Sequence, residues 1–239
     1  MPTGNPVLND KAFNDVRASG GEAMTTQGTA NKTLVLLALV VISASWVWNN
    51  PATLMPLYLP ALIGGFIVAM ITVFKKEWSP VTAPLYALLE GVLLGGISVL
   101  FERSYAGIVM QAVGLTFGTL FALLMAYKSG FVTVTQNFRL GVVAATGGIA
   151  IFYIVTMVLG FCHINVPIFY GNGFWGIGFS IFVVVIAALN LVLDFDFIDQ
   201  AAQAGAPKYM EWYGAFGLMV TLIWLYMEIL RLLAKSRRR

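Results

Sequence analysis

Five acidic side chains stand where apolar residues surround them. Glu90 lies inside Leu88-Leu89-Glu90-Gly91, near the middle of a long hydrophobic stretch. Asp194-Phe195-Asp196-Phe197-Ile198-Asp199 closes another such stretch. Glu228 interrupts a third, three residues before Arg231. An acid at the centre of a bilayer costs ~2.5–3.5 kcal/mol on insertion scales. Such a group is expected to handle protons or cations, or to be neutralised by a neighbouring helix. Successive helix residues turn by about 100°, so Asp194 and Asp196 point to roughly opposite sides. Asn190 shares the stripe of Asp194 one turn earlier, so these two are expected to face the protein interior. Asp196 and Asp199 are expected to face water. Gly217, Thr221, Trp224 and Glu228 form one stripe of the last hydrophobic segment, and Glu228 can pair with Arg231 along it. Lys75 and Lys76 end a hydrophobic stretch and are positioned to meet a carboxylate at its mouth.

Other chemistries are poorly served. The chain has one cysteine, Cys162, and one histidine, His163, so neither a disulfide within the chain nor a multi-cysteine metal pattern is available. GxxxxGK[ST] and HExxH are absent. Gly96-Ile97-Ser98-Val99 and Gly178-Phe179-Ser180-Ile181 lack the closing glycine of an intramembrane serine protease, and Gly-Xaa-Gly-Asp is absent. No enzyme, cofactor or metal centre is expected. The net charge of +3 and the lack of basic runs interleaved with aromatics exclude a nucleic-acid partner.

The elements that carry these residues follow from the composition. Of 239 residues, 59% are hydrophobic and only 10% are charged, against about a quarter charged in a soluble domain. No Asp, Glu, Lys or Arg occurs from Thr33 to Phe74, from Leu140 to Leu193, from Ser104 to Tyr127 or from Trp212 to Met227. A bilayer core needs about 20 apolar residues as helix, so the first two gaps each hold two spans. The expected fold is an all-α membrane protein, a bundle of seven transmembrane helices near Thr33–Trp48, Leu57–Phe74, Pro84–Phe101, Ala106–Tyr127, Leu140–Phe161, Phe174–Phe197 and Trp212–Leu233. Lipid offers the backbone no hydrogen-bond partners, and the period-two alternation of barrel strands is missing. Trp46, Trp48, Trp78, Trp175 and Trp212 sit near segment ends, as interfacial anchors do. Gly91 and Gly95, four apart, are expected to let helices approach closely. Residues 1–32 read as a flexible cytoplasmic tail, 33–233 as the transmembrane domain and 234–239 as a basic tail.

Loop charge sets the orientation. With the N-terminus inside, Lys11, Arg17, Lys32, Lys75, Lys76, Lys128, Arg139 and Lys208 lie inside, and Arg103 alone lies in an outer loop. Arg231, Lys235 and Arg237 to Arg239 run against that pattern, because seven full spans carry them outside. Either the earlier spans fix the topology, or the last segment is re-entrant. Seven spans are the favoured reading, with the protein multi-pass in the cell membrane.

The chain resembles the Bax inhibitor/YccA-type membrane proteins, the transmembrane Bax-inhibitor-motif family, over about residues 33 to 233. Three places carry the resemblance. Lys75-Lys76, followed by Ala83-Pro84-Leu85-Tyr86-Ala87-Leu88-Leu89-Glu90-Gly91, is similar to a basic turn leading into the family's third helix. Ala188-Leu189-Asn190-Leu191-Val192-Leu193-Asp194 is similar to its sixth, and Leu222 to Leu233, ending Leu230-Arg231-Leu232-Leu233, to its seventh. Asn5-Pro6-Val7-Leu8 and Asn31-Lys32-Thr33 resemble a bacterial branch. The resemblance implies a central helix ringed by the others, and a pH-sensitive Ca2+ leak. It implies two aspartates on helices six and seven that share a proton, and a basic latch at the end of helix two. Asp194 then matches the first aspartate, and Lys75 and Lys76 the latch. Thr221 takes the place of the second aspartate. Leu225-Tyr226-Met227-Glu228 is similar to the family's Leu-Tyr-Xaa-Asp, but Glu228 lies farther from Asp194 than the family spacing. Asp194 is thus left to pair with a lysine or with Thr221, or the pH response is lost.

Two functions are therefore carried forward. One is an ion path with Asp194, Asp196, Glu90, Thr221 and Glu228 as gating or proton-sensing groups, Lys75 and Lys76 as latch cations, and Ca2+ and protons as its ions. The other is a non-conducting binding module in the lipid bilayer that modulates another membrane protein, such as a quality-control protease.

Overall fold

The computed structural model describes residues 22–50, 52, 54–161 and 173–237. Residues 1–21, 51, 53, 162–172, 238 and 239, among them Cys162 and His163, lie outside the described residues. Among the described residues seven α-helices follow one another: α1 Thr26–Asn49, α2 Leu54–Phe74, α3 Ser79–Ser104, α4 Ile108–Lys128, α5 Gln136–Phe161, α6 Phe174–Gln203 and α7 Met210–Arg237. A 3-10 turn, Lys76–Trp78, joins α2 to α3. All seven helices are long and apolar enough to cross a bilayer. The all-α, seven-helix expectation thus holds.

The helix ends extend beyond the purely apolar stretches. Thr25 caps α1 by accepting the Gly28 amide at 2.9 Å, so residues 26–32, expected as tail, are helical. Thr29 and Thr33 continue the helix by donating to carbonyls one turn back, at 3.0 and 2.9 Å. Such local bonds satisfy hydroxyls that water does not reach. Thr135 caps α5 through the Phe138 amide at 3.2 Å. Gly130 and Gly205 adopt φ of 73° and 72° just past the ends of α4 and α6, a conformation open to glycine because it has no Cβ. α7 runs unbroken from Met210 to Arg237. A re-entrant segment needs a break, so this helix supports the seventh full span and takes in residues 234–237 of the expected basic tail.

The chain divides into two compact units. Among the described residues, the first holds 22–104 together with Asp196–Val220; the second holds 105–161, 173–195 and 221–237. In the first, α1 and α2 both pack on α3. A Cβ on Gly91 meets the Ser43 hydroxyl and lies 3.0 Å from the Val40 Cα; one on Gly95 lies 2.7 Å from the Ala44 carbonyl oxygen. The backbones of α1 and α3 approach this closely because α3 carries glycine there. In the second unit Ile149, Val183 and Ile186 form a buried cluster, with Tyr153, Phe179 and Trp224 packed on it.

Polarity is distributed opposite to that of a soluble protein. Phe66, Phe74, Met110, Met125 and Ile151 are all at least 65% exposed, whereas Thr72, Ser98, Thr116, Thr156 and Ser180 are buried. Large exposed apolar faces on a monomer mark a partner or a membrane, and lipid is the environment in which side chains of this kind cost nothing to leave outside.

Candidate functional site

In the second unit, α5, α6 and α7 carry most of the buried polar groups. Asp194 is fully buried, at 0% exposure. Asn190, one turn earlier on α6, is also buried and donates from Nδ2 to the Thr146 hydroxyl at 2.7 Å and to the Ile186 carbonyl at 2.8 Å. Its Oδ1 is buried and accepts no hydrogen bond from the described residues. The expected inward stripe of Asn190 and Asp194 is thus present. Thr221 on α7 is buried in the same unit.

Glu228 is buried farther along α7 and pairs with Arg231 at 3.0 Å, the contact expected from their spacing. Tyr153 on α5 completes the group. Its hydroxyl donates to Glu228 Oε1 at 2.8 Å and accepts from the Arg231 guanidinium at 3.0 Å, which also lies 5.5 Å from the ring centre. The carboxylate thereby keeps one cation and one neutral donor, the arrangement that makes a buried charge tolerable. Tyr153→Phe removes one neutral donor, and about 1–1.5 kcal/mol of stability is expected to go with it. A thermal melt of the variant in detergent measures the loss.

In the first unit Glu90 is half-buried on α3, with the Tyr86 hydroxyl hydrogen-bonded to it one turn earlier. Asp196 and Asp199 are half-buried too, and each accepts from a glutamine one turn on, Gln200 at 2.8 Å and Gln203 at 2.9 Å. They are less exposed than the reading of water-facing acids implies, because Phe195, Phe197 and Ile198 between and beside them are buried. Lys75 is exposed, with its ammonium 5.4 Å from the centre of the Trp78 ring, and Lys76 is half-buried. Asp194 belongs to the second unit, Lys75 and Lys76 to the first.

The structure adds four charged groups that sequence reasoning passed over. Arg139, counted as a loop charge, is buried on α5. The spacing of Arg139, Val142, Thr146, Ile149, Tyr153 and Thr156 at three and four residues is the signal that could have found it. Lys235, read as part of a basic tail, is buried and donates to the Gly176 carbonyl at 3.2 Å and the Ser180 hydroxyl at 3.0 Å. Arg237 donates to the Ala106 carbonyl at 2.7 Å and to Gln111 Oε1 at 2.9 Å, tying the end of α7 to the start of α4. Glu211 is fully buried at the start of α7, paired with Lys32. Among the described residues no group of three or more His, Cys, Asp or Glu side chains is arranged to hold a metal ion.

Asp194 and the Asn190 amide oxygen are thus two buried oxygen-bearing groups one helical turn apart on α6. No curated protein matches the chain in a sequence comparison. The family model described as Bax inhibitor 1 like matches residues 5–238, nearly the whole chain. With its seven apolar helices, this multi-pass membrane protein belongs to the Bax inhibitor 1 like family.

Proposed function

We propose that the protein is a pH-sensitive pathway for Ca2+ in the cell membrane, gated at Asp194, with its N-terminus in the cytoplasm. The observation that carries this reading is the wholly buried Asp194 carboxyl one helical turn from Asn190, whose open amide oxygen is itself buried. Oxygen ligands of these two kinds, carboxylate and amide carbonyl, are what Ca2+ takes. Ionisable groups inside membrane spans mark ion and proton pathways. Glu228 pairs with Arg231 and accepts from Tyr153, so it and Glu90 are secondary acidic groups in this reading.

The sign of the pH response follows from charge. A cation engages the ionised carboxylate and is released when that group takes a proton. Ca2+ flux therefore rises as pH increases. The test is Ca2+ entry into liposomes holding the purified protein, against protein-free liposomes, from pH 6 to 8. Flux that exceeds the protein-free control and climbs with pH supports the reading. Flux equal to the control at every pH overturns it and leaves the non-conducting binding module. In that case capture of a membrane-protein partner should depend on residues 1–30.

A further inference from the structure

The buried carboxylate of Glu211 takes no part in the path proposed above, and its contacts reach far along the chain. It accepts the Thr25 amide at 2.8 Å and the Thr25 hydroxyl at 3.0 Å. The Lys32 ammonium bonds its other oxygen, and Lys208 lies 3.4 Å from the first. Lys208 also lies 3.5 Å from Glu22. Glu211, the buried member, is thus faced by two lysines, while Lys208 and Glu22 keep their contact with water. Gly28 lies between Thr25 and Lys32 on α1, and a Cβ there would fall on the Glu211 carboxylate itself. The glycine is the socket into which that carboxylate fits. Gly214, one turn further along α7 than Met210, is in contact with Thr29 in the same way, at 3.2 Å from its Cβ position.

The backbone repeats the connection. The Met24 amide donates to the Ala206 carbonyl at 2.7 Å, and Ala23 and Pro207 form an antiparallel bridge. Met24 and Ala206 are both buried. Residues 204–209 are the turn between α6 and α7, so residues 22–25 lie along that turn like a third strand of chain.

We infer that residues 22–32 form a strap, latched by Glu211, that holds the turn between α6 and α7 in place, and that releasing the latch frees this turn. The strap stands independent of whether the protein conducts. The latch joins two sequence-distant pieces: the cap of α1, and the Lys208 turn with the first turn of α7 that follows it. Loss of the charge, or of the socket, is enough to open it. A carboxamide at 211 keeps the shape but loses the attraction to both lysines, and a side chain at 28 evicts the group.

Backbone hydrogen exchange of the full-length protein in detergent tests this, comparing wild type, Glu211→Gln, Gly28→Val and Thr25→Ala. Exchange of residues 22–25 and 204–210 is expected to speed by about tenfold or more in Glu211→Gln and Gly28→Val. A smaller rise of a fewfold is expected in Thr25→Ala, with α4 unchanged in all three. Unchanged exchange in those two segments overturns the latch, and so does an equal rise throughout α3 and α4, which marks general destabilisation. Should the stronger variants fail to fold, Ala23→Cys with Pro207→Cys in a Cys162→Ser background reads the strap directly. Rapid disulfide formation under mild oxidation supports a seated strap. A pair that stays reduced, or one that bridges as fast when Thr25→Ala is added, overturns it.

Discussion

Gly91→Leu is expected to destabilise the protein by about 3 kcal/mol or more, the upper end for forcing carbon into a packed interior. The reason is the identity of the atoms in the way. A Cβ at 91 lies 2.5 Å from the Val40 carbonyl oxygen and 3.0 Å from the Val40 Cα, both backbone atoms of α1. A side-chain tip can rotate aside, whereas backbone moves only with its helix. The whole contact of α1 on α3 must therefore open, and Gly95, equally close to the Ala44 backbone, must open with it. Gly118→Ala on α4 is the matched control. Nothing lies within 4 Å of its Cβ position, so the substitution is expected to leave stability unchanged or raise it slightly, because alanine favours helix. Thermal unfolding of both variants in the same detergent measures the difference. A Gly91→Leu protein that melts with the wild type contradicts the close approach of α1 and α3.

The helices were legible because charge is excluded from them. The stretches without Asp, Glu, Lys or Arg, such as Leu140 to Leu193, report the hydrocarbon slab and hence the number of spans. Their ends were not legible in the same terms. Residues 26–32 are polar, and they are helical because Thr25 caps them and because Lys32 meets a carboxylate 179 residues away. Hydropathy has no access to a contact at that separation. Within the site the near pairs were readable and the far ones were not. Glu228 and Arg231 are three apart, and a helix places them together whatever the fold. Tyr153 joins them from another helix, 75 residues from Glu228, through packing alone. Asn190 and Asp194 were placed inward from their spacing, and Thr146, the partner of Asn190, was missed for the same reason as Tyr153. Glu211 escaped because it stands beside Trp212 at a segment boundary, where a solvated acid is the ordinary expectation, while its Thr25 partner lies 186 residues earlier.

Asp194→Asn is expected to remove the pH dependence of Ca2+ movement and to lower its rate at high pH by tenfold or more. The substitution keeps the size of the side chain and one oxygen ligand, but it removes the charge that draws a divalent cation into a site of low dielectric. It also removes the group at that position that can exchange a proton. Asp196→Asn serves as the contrast. Its carboxylate is half-buried and already bonded to Gln200, so its loss is expected to change flux by no more than about twofold. The most direct measurement is Ca2+ entry into liposomes as a function of pH for the wild type, Asp194→Asn and Asp196→Asn at equal protein content. Flux that climbs from pH 6 to 8 in the wild type and Asp196→Asn, and stays low and flat in Asp194→Asn, is the predicted result. Wild type and Asp194→Asn curves that superimpose contradict a gate at Asp194.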